Sequence, residues 1–78
     1  MALRIKSSVD LKELEKYGFN KKYYVDEWAY SKELIIGSHY TEEIIVWVKD
    51  REIQVAHSIR VLNTLYDLIK ADLVEKID

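Results

Sequence analysis

The stretch from Ile44 to Val55, IIVWVKDREIQV, limits the fold more than any other, because each of its strand positions can be assigned a face. Val, Ile and Trp suit a pleated, half-buried surface, and Lys49, Asp50, Arg51 and Glu52 supply a polar reversal between two apolar runs. With Asp50 and Arg51 at the centre of the turn, Lys49 faces Glu52, Val48 faces Ile53, Trp47 faces Gln54 and Val46 faces Val55. One face then gathers Ile44, Val46, Val48, Ile53 and Val55 and belongs to the core, whereas a slip by one residue would mix apolar with polar partners. The other face carries Ile45, Trp47 and Gln54 and is less polar than a solvated face requires. Neither Asp50 nor Arg51 suits the backbone of a two-residue primed turn, which leaves a looser connection open.

The rest of the chain arranges itself around this hairpin. Leu3 and Ile5 alternate with Arg4 and Lys6, so the N-terminus is either a short edge strand or a tail. In DLKELEKYGF, Asp10 caps a first helix, Glu13 completes a capping box, and Gly18 closes the helix in the left-handed conformation. Phe19 then reaches Leu14, which also meets Val9. Aromatic and β-branched residues follow, and three strands are expected near Tyr23–Tyr30, Glu33–Ser38 and Glu43–Val48. Their reversals fall at Ser31-Lys32 and at Ser38 to Thr41, with Gly37 as a bulge or close approach and Trp28 pointing inward.

After Val55 the apolar period changes to that of a helix, with Ile59, Leu62, Leu65, Tyr66 and Ile69 on one face, flanked by Val61 and Leu68. Arg60, Asn63, Thr64, Asp67 and Lys70 make the opposite stripe, and Ser58 is the N-cap, with Asn63 as the alternative cap of a shorter helix. The helix is expected to stop near Ala71, with LVEKI left as a strand or tail. The fold class is therefore α+β: an antiparallel sheet of about four strands, a short N-terminal helix, and a main C-terminal helix packed on one face.

Residues 1–78 read as one domain whose core alone supplies roughly 3–5 kcal/mol. Cys is absent, which removes disulfides and thiolate chemistry and suits a reducing compartment, so a cytoplasmic location is expected. The longest apolar run, Ile44 to Val48, is too short to span a bilayer. With 12 basic and 14 acidic residues, the net charge of −2 lacks the basic excess that would neutralise several phosphates, so nucleic acid is disfavoured.

No catalytic, cofactor or metal constellation emerges, and the chain reads as a non-enzyme. His39 and His57 lack ligand spacing such as HxxxH and read as a loop residue and a residue at the helix start. The pairs Asp26-Glu27 and Glu42-Glu43 alternate across a strand instead of converging. The serines sit at expected caps and turns. The aromatic load stands out: six Tyr, two Trp and one Phe. Part of it fills a thin core, and Trp47 with Ile45 forms an apolar patch for a partner.

The segments SSVDLKELEKYGF (Ser7–Phe19) and TLYDLIKADLVEKI (Thr64–Ile77) resemble small proteins of uncharacterised function carried by phages and prophages of Gram-positive bacteria. The resemblance implies that Gly often stands at the counterpart of Asp72, in keeping with a helix stop there. It brings no activity or cofactor, and it implies a phage accessory or inhibitor context. Together these readings lead to a protein-interaction module that binds a second copy of itself or another protein through Ile45, Trp47 and Gln54. The alternative is a single-stranded nucleic-acid binder that stacks bases on sheet aromatics beside Lys21 and Lys22.

Overall fold

The computed structural model describes residues 2–35, 41–55 and 59–77. The elements run β1 (Ala2–Ile5), a 3-10 helix (Leu11–Tyr17), β2 (Asn20–Tyr24), β3 (Glu27–Ile35), β4 (Thr41–Trp47), β5 (Ile53–Val55), α1 (Ile59–Lys70) and β6 (Val74–Ile77). Strands β2-β3-β4-β5 form a four-stranded antiparallel sheet, and β1 pairs with β6 in a second, two-stranded one. An antiparallel bridge between Arg4 and Glu52, with the Ile5 amide donating to the Arg51 carbonyl at 2.9 Å, joins β1 to the start of β5. The chain is thus α+β, with two strands at its ends beyond the sheet expected from the sequence.

The core lies between one face of the larger sheet and the helices. Tyr30, Ile44 and Val46 contribute from the sheet, Leu11 and Leu14 from the 3-10 helix, Val61, Leu65 and Leu68 from α1, and Ile5 and Phe19 from their flanks. Apolar burial of this kind is the main favourable term for so small a fold.

The 3-10 helix forms where the capping signals stand. The Asp10 side chain accepts from the Lys12 amide at 3.0 Å. Glu13 does not turn back to the cap but pairs with Lys16 at 2.8 Å, so the expected capping box is only half made. Gly18 is left-handed (φ 91°), and the Phe19 amide donates to the Leu14 carbonyl at 3.2 Å, as a Schellman closure requires. Leu14 and Phe19 are both buried, with Val9 packed against the same core.

In the β4–β5 hairpin the two faces hold but the register differs. Ile44 opposes Val55, Ile45 opposes Gln54 and Val46 opposes Ile53, so residues 48–51 form a longer loop. The Arg51 amide donates to the Trp47 carbonyl at 2.8 Å, and Arg51 itself is left-handed (φ 64°). The two-residue turn fails because it needs left-handed backbone at its centre residues, whereas the longer loop asks it of one. The register moves each partner by an even step, which preserves the faces.

Three further expectations are corrected. The first reversal lies at Val25-Asp26, not at Ser31-Lys32, which sits inside the continuous β3. Trp28 shares the parity of the core-facing Tyr30 but is 50% exposed, because the helices leave the turn end of β3 uncovered. On α1 the buried face is Val61, Thr64, Leu65 and Leu68, while Leu62, Tyr66 and Ile69 are about half exposed, so the helix is rotated about its axis relative to the expectation. Its C-terminus falls as expected. Asp72 is left-handed (φ 62°), and the Leu73 amide reaches the Leu68 carbonyl at 3.2 Å. The expectations for His39, His57, Gly37, Ser38 and Ser58 lie outside the described residues.

Candidate functional site

The face opposite the core is built across the centre of the sheet. The register aligns Lys22, Ala29 and Trp47 in one row and Asn20, Ser31, Ile45 and Gln54 in the next. Tyr24 and Trp47 rise from strands on either side of β3, and their rings meet edge-to-face at 5.6 Å, so the pair spans the small residues of β3 between them. Ala29, Ser31 and Ile45 are buried accordingly. The Trp47 indole donates to Gln54 Oε1 at 3.3 Å, and the Tyr24 hydroxyl donates to Glu43 Oε2 at 2.5 Å. Burial, then the bond to Glu43, pushes the Tyr24 phenol above its ordinary range, against a smaller opposing effect of a hydrogen bond with Ser31. Lys22 completes the cluster 3.5 Å from Glu33 and 3.9 Å from Glu43, and the neighbouring Tyr24 and Glu43 raise its pKa.

The three residues expected to bind a partner are therefore brought together. Ile45 and Gln54 are register partners, and Trp47 bonds Gln54. They differ in availability: Ile45 is 9% exposed, Trp47 is half-buried and Gln54 is exposed. Trp47 spends much of its apolar surface on Tyr24 and the strand beneath.

A second surface, not singled out in the sequence, lies at the outer end of the β2–β3 hairpin. Tyr23 and Trp28 are direct cross-strand partners, 53% and 50% exposed, with rings edge-to-face at 4.9 Å. The Lys21 ammonium lies 5.2 Å from the centre of the Trp28 ring. Beyond them Val25 is 97% exposed and left-handed (φ 50°), a conformation that a β-branched residue adopts only under strain. A shallow cleft of about 410 Å³ adjoins Trp28, lined by Asp26, Glu27, Val48 and Lys49. Sequence reasoning missed this surface because Tyr23-Tyr24-Val25-Asp26-Glu27 contains no Gly or Asn to mark a turn. The aromatic residues themselves were the available signal.

Among the described residues no group of three or more His, Asp or Glu side chains is placed to hold a metal ion, and no helix is long and apolar enough to cross a membrane. No family model, curated protein or solved structure matches the chain.

Proposed function

We propose that this chain is a protein-interaction module that engages another protein through the outer end of the β2–β3 hairpin. One observation carries the reading: Tyr23 and Trp28, packed ring to ring, and Val25 at the tip of the same hairpin all stay exposed. Large aromatic side chains left open to water are characteristic of interface anchors, since they bring much contact area with few rotatable bonds. The left-handed Val25 supports it too. A conformation of this kind costs on the order of 1–3 kcal/mol, and a side chain exposed to this degree returns nothing to the core.

The Ile45, Trp47 and Gln54 face, including its use for self-association, is the less favoured docking surface. Ile45 has little area left to bury and Trp47 is engaged by Tyr24. Under the phage and prophage resemblance, the partner would be a protein encountered by a phage accessory protein or inhibitor.

Capture from a lysate of the source cell with wild type, Trp28→Ser and Leu62→Ser tests the reading. A protein retained by wild type and by the helix variant, but lost with Trp28→Ser, is the expected result. Equal capture by all three would refute the hairpin as the docking surface. A second reading, stacking of single-stranded nucleic acid, is favoured by Lys21 over Trp28 and Lys22 over Tyr24. Binding of an oligonucleotide that weakens steeply with salt would support it.

A further inference from the structure

Strand β2 is the terminal strand of the larger sheet, and among the described residues none pairs with its outer side. The direction of its backbone groups follows from two observations. The Trp28 carbonyl accepts from the Val48 amide at 3.1 Å, so the backbone polar groups of Trp28 point toward β4. Since those groups alternate along a strand, Glu27, Ala29 and Ser31 point toward β2, where they meet their register partners Tyr24, Lys22 and Asn20. The remaining two residues, Lys21 and Tyr23, therefore turn their N–H and C=O groups outward, a short row of donors and acceptors with no partner in the sheet.

The side chains along this edge state what kind of strand fits beside it. Lys21 and Tyr23 project to one face, Lys22 and Tyr24 to the other, so each face of the edge presents one cation followed by one ring. Lys21 has no carboxylate at ion-pair distance among the described residues; its ammonium rests over Trp28. Lys22 reaches Glu33 and Glu43 only at 3.5 and 3.9 Å, with its side chain about half exposed. A second copy of β2 is a poor occupant. Antiparallel self-pairing along the whole strand sets Lys22 against Lys22, and moving each chain by one residue in one direction sets Lys21 against Lys21, both like-charge oppositions; moving the other way sets Tyr23 against Tyr23 and pairs only Lys22 through Tyr24, leaving Lys21 outside the ladder.

Resting on the interaction-module reading, we infer that β2 takes up an extended acidic segment of the partner protein as an added antiparallel strand. Its recognition sequence is two apolar residues followed by two acidic ones. In that direction the apolar pair lies against Tyr24 and Tyr23 and the acidic pair against Lys22 and Lys21, while the edge groups of Lys21 and Tyr23 complete the ladder. The ring of Tyr23, backed by Trp28 at 4.9 Å, receives the apolar side chain on that face.

The probe is an end-blocked peptide, Thr-Val-Ile-Glu-Glu-Thr, added at millimolar concentration to the full chain and followed by amide and ring NMR signals. The expected result is an alternating response: exchange protection and large shifts at the Lys21 and Tyr23 amides, with little change in exchange at Lys22 and Tyr24. The peptide carrying Lys in place of Glu should not bind, and a double Lys21→Glu, Lys22→Glu variant should reverse the preference, each by roughly tenfold or more in affinity. Shifts of the Tyr23 and Trp28 rings without amide protection would overturn strand addition while leaving the docking surface intact. No response anywhere on the hairpin would overturn strand addition as well, and the lysate capture with Trp28→Ser would then judge the docking surface separately. Equal binding of both peptides, or an oligothymidine producing the same shifts, would also overturn it.

Discussion

Val25→Gly isolates the strain at the hairpin tip, because the side chain it removes is 97% exposed and its loss forfeits almost no burial. An L residue in the left-handed region is disfavoured by about 1–2 kcal/mol, and β-branching adds to that. Glycine relieves the whole of it but gives the unfolded chain extra freedom worth roughly 0.5–1 kcal/mol. The net expectation is a stabilisation of about 0.5–1.5 kcal/mol. For a chain of 78 residues each kcal/mol moves the midpoint by about 4–8 °C, which thermal unfolding followed by far-UV circular dichroism resolves easily. Val25→Asn should gain part of the effect, since Asn tolerates the same region. If Val25→Gly instead lowered stability, as glycine does within an ordinary strand, Val25 would not be left-handed and the Tyr24–Glu27 pairing would be refuted. The same variant should weaken partner capture, so stability and binding are expected to move in opposite directions.

Arg51→Gly makes an instructive contrast: Arg51 shares the positive φ, but its guanidinium donates to the Lys6 and Val9 carbonyls at 2.8 and 2.5 Å. Losing these charge-assisted bonds outweighs the relief of the backbone, and a net destabilisation of about 1–3 kcal/mol is expected in urea unfolding. Leu14→Ala should destabilise by about 2–5 kcal/mol by the same assay, since Leu14 is wholly buried. Tyr24 and Tyr30 both have phenol pKa values raised, chiefly by burial. The unfolded chain loses these protons first, near about pH 10, so their contribution is complete below that pH and is lost as pH rises through the folded values. Tyrosinate absorbance should show Tyr24 and Tyr30 titrating late, and Tyr24→Phe should remove one of these late phenols.

Elements specified by neighbouring residues were legible in the sequence. The Asp10 and Gly18 boundaries, the end of α1 and the two faces of the β4–β5 hairpin all rest on short-range caps or period-two alternation. What was not legible depends on distant partners or on a residue out of character. Pairing of Ala2–Ile5 with Val74–Ile77 joins the two ends of the chain and leaves only the weak mark of alternation. The Val25 turn carries the wrong residue type for its backbone, so the aromatic run reads as one strand; Trp28 does lie on the core-facing side, and its exposure depends on where the helices end, which no local pattern marks. On α1, apolar residues cover more of the circumference than the sheet can bury, so the period located the helix without selecting the face. The site followed the same rule. Alternation places Ile45, Trp47 and Gln54 on one face, where the structure also has them, but their cover by Tyr24 depends on the β2–β3 register.

Which aromatic surface is open can be measured directly by acrylamide quenching of the two single-tryptophan proteins, Trp47→Phe and Trp28→Phe. With the hairpin reversing at Val25-Asp26, Trp28 emits to the red and is quenched nearly as readily as free indole, while Trp47, held between Tyr24 and Gln54, emits to the blue and is quenched several-fold less. The opposite order would place Trp28 in the core and open the Ile45–Trp47 face to a partner, contradicting the docking surface proposed at the hairpin end.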